Sequence, residues 1–224
     1  VARELSKYDF LAIPVVDNEE RLVGIVTVDD AIDVLQEEAT EDIEKMAAIT
    51  PSEKPYIKTG VFATWKQRVP WLLILTISAT FTSAIIASYE SALAATVILT
   101  NFIPMLMDTG GNSGSQSSIT IIRGLSLGEI RYSDVPRIIL KEASVALLCG
   151  ATLAAVNFVK LLVFDRVTLL VAAVVCLTLL AVMLVANLVG STLPILAKRL
   201  GFDPAVMASP FITTIVDAVA LVIY

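Results

Sequence analysis

Histidine is absent from the 224 residues, and cysteine occurs twice, at Cys149 and Cys176. Without imidazole, the sites that suit zinc, copper or iron cannot be built, so any metal partner is a hard, oxygen-liganded ion unless Met105 or Met107 serves as a soft ligand. Both cysteines are isolated in apolar runs with no CxxC spacing and read as small packed hydrophobes. Enzyme chemistry is equally poorly supplied: no nucleophile–base pair stands out, and the acids show no metal-protease or nuclease spacing. The stretch "GGNSGSQ" lacks the Lys-Ser/Thr ending of a phosphate loop. Positive charge is scarce, with 16 Lys and Arg against 22 Asp and Glu. That balance argues against nucleic acid as a partner and for cations. The opening "VARELSKYDF" has no apolar core of the kind a signal peptide needs; the first begins at Val69.

What is abundant is apolar surface. Hydrophobic residues make up 56% of the chain and the mean hydropathy is +0.81, values that predict a membrane protein. The distribution is uneven: thirteen of the 22 acids fall within the first 44 residues, and uncharged runs dominate after Arg68. A small acidic water-soluble part therefore precedes a larger membrane part.

In the soluble part, "FLAIPVVD" and "RLVGIVTV" are β-branched runs separated by "NEE", which predicts a hairpin. A helix from about Asp29 to Met46 follows, with Ile32, Leu35, Ala39, Ile43 and Met46 on one face. Its other face is acidic through Asp30, Asp33, Glu37 and Glu41, joined by Glu38 and Asp42. Such crowding marks either a solvated face or a cation site, because like charges at this spacing repel by about 0.2–0.5 kcal/mol per pair. The piece is too short to bury a core alone, so the sequence is expected to begin inside a larger soluble domain. "TPSEKPYIKTGVFATWKQRVP" bridges to the membrane, with Phe62, Trp65 and four basic residues from Lys54 to Arg68 suited to a cytoplasmic interface.

Five spans are expected from runs near twenty residues: Val69 to Tyr89, Ser91 to Ile122, Ala143 to about Val159, Val167 to about Ala197, and Pro204 to Tyr224. The second is longer than the hydrocarbon requires, so its Gly-rich half is expected to be tilted, broken or protruding. Only Lys160 and Arg166 lie in the loops opposite the other basic residues, which places the acidic part in the cytoplasm. No expected span holds a Lys or Arg, yet Asp108 and Asp217 lie well inside two of them. An intramembrane carboxylate costs roughly 2.5–3.5 kcal/mol on insertion scales and is usually paired or functional. A proton or a cation must supply the partner. Gly110 and Gly114 have the G-x-x-x-G spacing of helix packing, but packing explains neither Asp108 nor Asn112 and Gln116. A polar ladder at membrane depth is tolerated against protein or a water-filled path, so pore lining is favoured and packing can coexist with it.

Taken together, "PMLMDTGGNSGSQ", "IIRGLSLGEI", "LVANLVGSTLPIL" and "GFDPAVMASPFITTIVDAVALVIY" resemble the MgtE family of bacterial magnesium transporters. The acidic start resembles the end of the CBS tandem that precedes that family's membrane domain. The resemblance implies a mainly α polytopic protein behind a partial α/β CBS module. Residues 1–50 would be the C-terminal part of that module, 51–68 a connecting helix that plugs the pore, and 69–224 a five-helix pore domain. It further implies a homodimer in the bacterial inner membrane, Mg²⁺ as substrate and regulator, and a pore on the dimer axis. The family's pore aspartate falls on Asp217 and its Gly-Gly-Asn motif on Gly110, Gly111 and Asn112. Ser209 stands where relatives often carry an amide or glycine, and Asp108 where many have glycine, which makes the cytoplasmic mouth more acidic. Ser209, Asn112 and carbonyls near Thr213 would accept hydrogen bonds from the waters of a partly hydrated Mg²⁺. Thr27 and Asp30 match the nucleotide-contacting pattern of CBS modules, implying ATP as a partner of the complete tandem. The reading is a magnesium-selective, channel-like transporter gated by cytosolic Mg²⁺, not an enzyme. The alternatives are a non-transporting sensor that uses CBS nucleotide binding, or a proton- or sodium-coupled divalent cation exchanger.

Overall fold

The computed structural model describes residues 1–52, 54–90, 97–207 and 209–224, with the side chains of Arg3 and Ser209 outside that description. A short helix α1 (Ala2–Tyr8) leads into β1 (Ala12–Val16) and β2 (Leu22–Thr27), which pair antiparallel. The hairpin expected at "NEE" is organised by Asp17. Its Oδ1 accepts from the backbone N–H of Glu19 at 2.8 Å and of Arg21 at 2.9 Å, and Glu20 takes the left-handed conformation that closes the turn.

Helix α2 (Val28–Met46) matches the expected acidic helix. At its start Asp30 Oδ2 accepts from the Thr27 hydroxyl at 2.6 Å and from the Thr27 N–H at 3.3 Å. The exchange fixes the strand-to-helix turn as a capping box does.

After a 3₁₀ turn at Tyr56–Lys58, the connecting segment and the first expected span form one helix, α3 (Val61–Ser88). Pro70 lies inside it and withdraws one ladder donor. The helix leans on the rest of the molecule along its contact with the last helix, where Trp71 meets Phe211 edge to face at 5.9 Å.

The second expected span departs from expectation. Residues 91–96 lie outside the described residues, Val97–Phe102 is 3₁₀, and the α-helix α4 begins only at Ile103. It then runs to Ser126 as one α-helix through Gly110, Gly111 and Gly114, so of the tilted, broken or protruding options the broken one does not hold. Glycine costs up to about 1 kcal/mol in a helix interior. Close packing offsets it here: α4 is the central element, laid against both α6 (Leu169–Arg199) and α7 (Ser209–Ile223).

Helix α5 (Val135–Val163) packs on α6. Among the described residues, four helical stretches are long and apolar enough to cross a membrane: Val61–Ser88, Tyr132–Val163, Leu169–Arg199 and Pro204–Ile223. Helix α4 is long enough, at about 36 Å, but its polar residues keep it out of that set.

Apolar clusters join these helices. Val182 and Ala186 of α6 pack with Ile212, Val216 and Ala220 of α7. Ile121 and Leu125 of α4 pack with Ile195. Helix α6 ends on Gly201, whose φ of 82° lets the Phe202 N–H return to the Ala197 carbonyl at 2.9 Å. Lys198 Nζ reaches the Leu125 carbonyl at 2.9 Å, supplying a donor and a positive charge to the carboxyl end of α4.

Candidate functional site

The glycines of α4 set the geometry. A Cβ on Gly110 would lie 2.5 Å from Val182 Cγ1 and 2.8 Å from Val216 Cγ1; one on Gly111 would lie 3.0 Å from Thr213 Cγ2. One on Gly114 would lie 2.8 Å from Ile212 Cγ2 and 3.0 Å from the Ala186 carbonyl. Reciprocally, a Cβ on Gly190 would collide with the Gly114 carbonyl. These small residues let α4, α6 and α7 approach backbone to backbone.

That approach divides the polar residues of α4 between two sides. On the α7 side, Asp108 and Asp217 come within Coulombic range of each other. Asp108 is exposed and Asp217 half-buried. Thr213, one turn before Asp217, donates its hydroxyl to the Pro210 carbonyl at 3.0 Å, so its oxygen retains acceptor capacity while its methyl meets Gly111. Being inside a regular helix, the Thr213 carbonyl is directed along the axis into the ladder. Ser209 opens α7, and its side chain lies outside the described residues.

On the other side, Asn112 and Gln116 do not point into the α6–α7 packing. They line an open cleft of about 670 Å³ between α4, α5 and α6, together with Glu142 and Asn187. Ser117 Oγ stands 2.8 Å from Glu142 Oε2 and 3.2 Å from the Asn187 carbonyl, and the Ser113 hydroxyl donates to Asn187 Oδ1. Glu142 and Asn187 are not among the candidates read from the sequence. Glu142 precedes the third apolar run and reads as linker, whereas in the structure it lies on the second turn of α5. Asn187 gives a signal, being an amide within the uncharged fourth run.

The acidic face of α2 is also divided. Asp30, Asp33, Glu37 and Glu38 are exposed, and Thr27 and Asp30 are engaged with one another at the helix start. Glu41 and Asp42 are half-buried and turn toward the membrane helices. Lys45 Nζ lies 2.5 Å from Glu41 Oε1 and 2.6 Å from Asp203 Oδ2, in the segment just before α7. Burial alone would lower the Lys45 pKa, but the hydrogen bonds to Asp203 and Glu41 win and hold it above the usual lysine value. Ser126 Oγ donates to Asp42 Oδ2 at 3.2 Å, and Met46 packs against Ile122 and Ala205.

The family model for divalent cation transporters, MgtE, matches residues 103–224, and a CBS domain model matches residues 1–37. The chain belongs to the MgtE family. Magnesium transporter MgtE of Thermus thermophilus is 45% identical over all 224 residues, which is 49% of that protein. Those of Enterococcus faecalis and Bacillus subtilis are 37% and 38% identical, again over the whole chain and 49% of each relative. The chain thus spans about half the length of the curated MgtE relatives it matches. The MgtE match starts at the first residue of α4 and takes in both carboxylates, the glycines and the polar cleft.

Proposed function

We propose that this chain contributes the pore and the adjoining regulatory piece of a magnesium-selective, channel-like transporter. The observation that carries the reading is that Asp108 on α4 and Asp217 on α7, two helices packed against each other, lie within Coulombic range, with Asp108 left exposed. An exposed carboxylate at membrane depth has to be covered by protein or water. A second copy of the chain, related by a two-fold axis along α4 and α7, covers it and brings four carboxylates around one path. Mg²⁺ sheds water reluctantly and is held through its waters by one or two carboxylates, so a hydrated ion fits between such groups. Ser209 and Thr213 would accept hydrogen bonds from those waters, whereas Asn112, expected among them, faces the cleft between α4, α5 and α6. The domain division 1–50, 51–68 and 69–224 follows the same reading: a CBS end in the cytoplasm, a connecting segment that closes the pore, and a five-helix pore unit. The names of the MgtE relatives support magnesium as the cargo.

The experiment is Mg²⁺ uptake into proteoliposomes by the full-length protein, with and without a pH gradient. Asp217→Asn and Asp217→Ala are expected to abolish or strongly reduce flux while dimers still form on cross-linking. Wild-type flux in either variant removes Asp217 from the pore. Uptake that requires the gradient replaces the channel with a coupled exchanger.

A further inference from the structure

The cleft between α4, α5 and α6 lies on the side of α4 away from the α7 packing, and its own chemistry is unusual for a membrane. Thr109, Asn112, Ser113, Gln116, Ser117 and Thr120 line it at steps of three, one, three, one and three. They form one unbroken polar stripe about 16 Å long on a regular helix. Opposite, α5 contributes Glu142, and none of the described lining residues is Lys or Arg. None of the ion pairs among the described residues involves Glu142. Its Oε2 accepts from Ser117, which leaves the other oxygen and further lone pairs facing the cleft. Asn187, only 4% exposed, is held with its Oδ1 toward Ser113. Apolar Val145, Leu148 and Leu153 form part of the lining from α5.

Ser113, Ser117 and Thr120 donate their hydroxyls to Asn187, Glu142 and the Gln116 carbonyl, so the Asn112 and Gln116 amides and the remaining Glu142 oxygen are the groups in the cleft that call for water. Every lining heteroatom able to ligate is an oxygen except the side-chain amide nitrogens and two sulfurs, a donor set suited to a hard cation that keeps its waters. We infer that the cleft is a water-filled vestibule that binds a hydrated divalent cation at Glu142, with Ser117 orienting the carboxylate and the Asn112 and Gln116 amides bonding the ion's waters. The site is separate from Asp217 and does not depend on Asp217 lining a pore.

Cys149 lines the same cleft and is exposed, whereas Cys176 is buried. It is a built-in reporter. The full-length protein in native membranes is treated with a cationic, membrane-impermeant methanethiosulfonate, with Cys149→Ser setting the background. Labelling of Cys149 is expected, faster than with the anionic reagent by about tenfold after correction for intrinsic reactivity, as a single-sign cleft focuses cations. Millimolar Mg²⁺ is expected to slow it about tenfold. Glu142→Gln should remove the Mg²⁺ protection and reduce the charge preference, Glu142→Asp should retain both, and Asp217→Asn should leave both unchanged. Labelling by membrane-permeant N-ethylmaleimide alone would mean that lipid or another helix fills the cleft, and the inference fails. Mg²⁺ protection that survives Glu142→Gln would overturn the assignment to Glu142.

Discussion

Single side chains and even single hydrogens control how α4 sits. Gly190 faces the Gly114 backbone so closely that a methyl group has no room. Gly190→Ala is therefore expected to destabilise the membrane part by about 1–3 kcal/mol through overpacking, read as a lower melting temperature in detergent. A Cβ in Gly111→Ala meets Thr213 alone, tightly at its methyl, 3.0 Å away, and at ordinary contact distance elsewhere, and the variant should melt close to wild type. A loss of flux in Gly111→Ala without a melting change would mark the position as part of the path. Asn112→Leu, on an exposed position that lines the cleft, should leave the melting temperature and the flux past Asp217 unchanged; blocked conduction would put the cleft on the ion's path. Asp108→Gly should lower flux at low ionic strength, with the difference shrinking as salt is raised, because an exposed carboxylate acts over a Debye length of about 10 Å at 0.1 M. A salt-independent loss would instead make Asp108 a direct ligand.

At the scale of elements, the carboxyl end of α2 is fastened to the segment that begins α7. Lys45 bridges Glu41 of its own helix to Asp203, whose other oxygen accepts the Ala205 N–H at 2.9 Å. Helix α2 is thereby tied to the segment that leads, four residues beyond Ala205, into the helix that carries Asp217. The Lys45 pKa is raised on docking, so the bridge contributes fully below the free lysine value near 10.4. It is lost only as pH rises through the higher docked value. Docking should consequently be constant across neutral pH. Lys45→Met should loosen it by about 0.2–1 kcal/mol, the range of partly exposed ion pairs. Hydrogen exchange across Asp42–Ala48 reads the change as up to about fivefold faster exchange. Unchanged exchange would show that Met46 packing against Ile122 and Ala205 is sufficient by itself.

At the scale of the whole molecule, the proposed gating runs from the exposed acids of α2 to the pore. Mg²⁺ bridging these acids to another acidic surface would favour a compact, closed arrangement of the complete protein. A swing from 1:99 to 99:1 needs about 5.5 kcal/mol of differential binding, shared among several weak sites. Because Glu41 is committed to Lys45, the informative variant neutralises Asp33, Glu37 and Glu38 and spares Glu41. Patch-clamp open probability against cytosolic Mg²⁺ should then show intact conduction with weakened inhibition. An unchanged inhibition curve would make these acids a solvated face.

Composition and period alone determined the membrane class, the hairpin, the acidic helix and, of the five expected spans, four helices long and apolar enough to cross a membrane, since hydropathy and turn chemistry act over neighbouring residues. The two carboxylates were legible for the same reason: Asp108 and Asp217 interrupt otherwise uncharged runs. Tertiary structure decided which side of α4 each polar residue serves. "GGNSGSQ" reads as one motif along the chain, but at 100° per residue it wraps the helix, sending Gly110 and Gly114 into packing and Asn112 and Gln116 into the cleft. Partnerships such as Lys45 with Asp203 or Ser117 with Glu142 join residues 158 and 25 positions apart. Contacts of that kind are set by how the folded helices pack against one another, which no local pattern encodes.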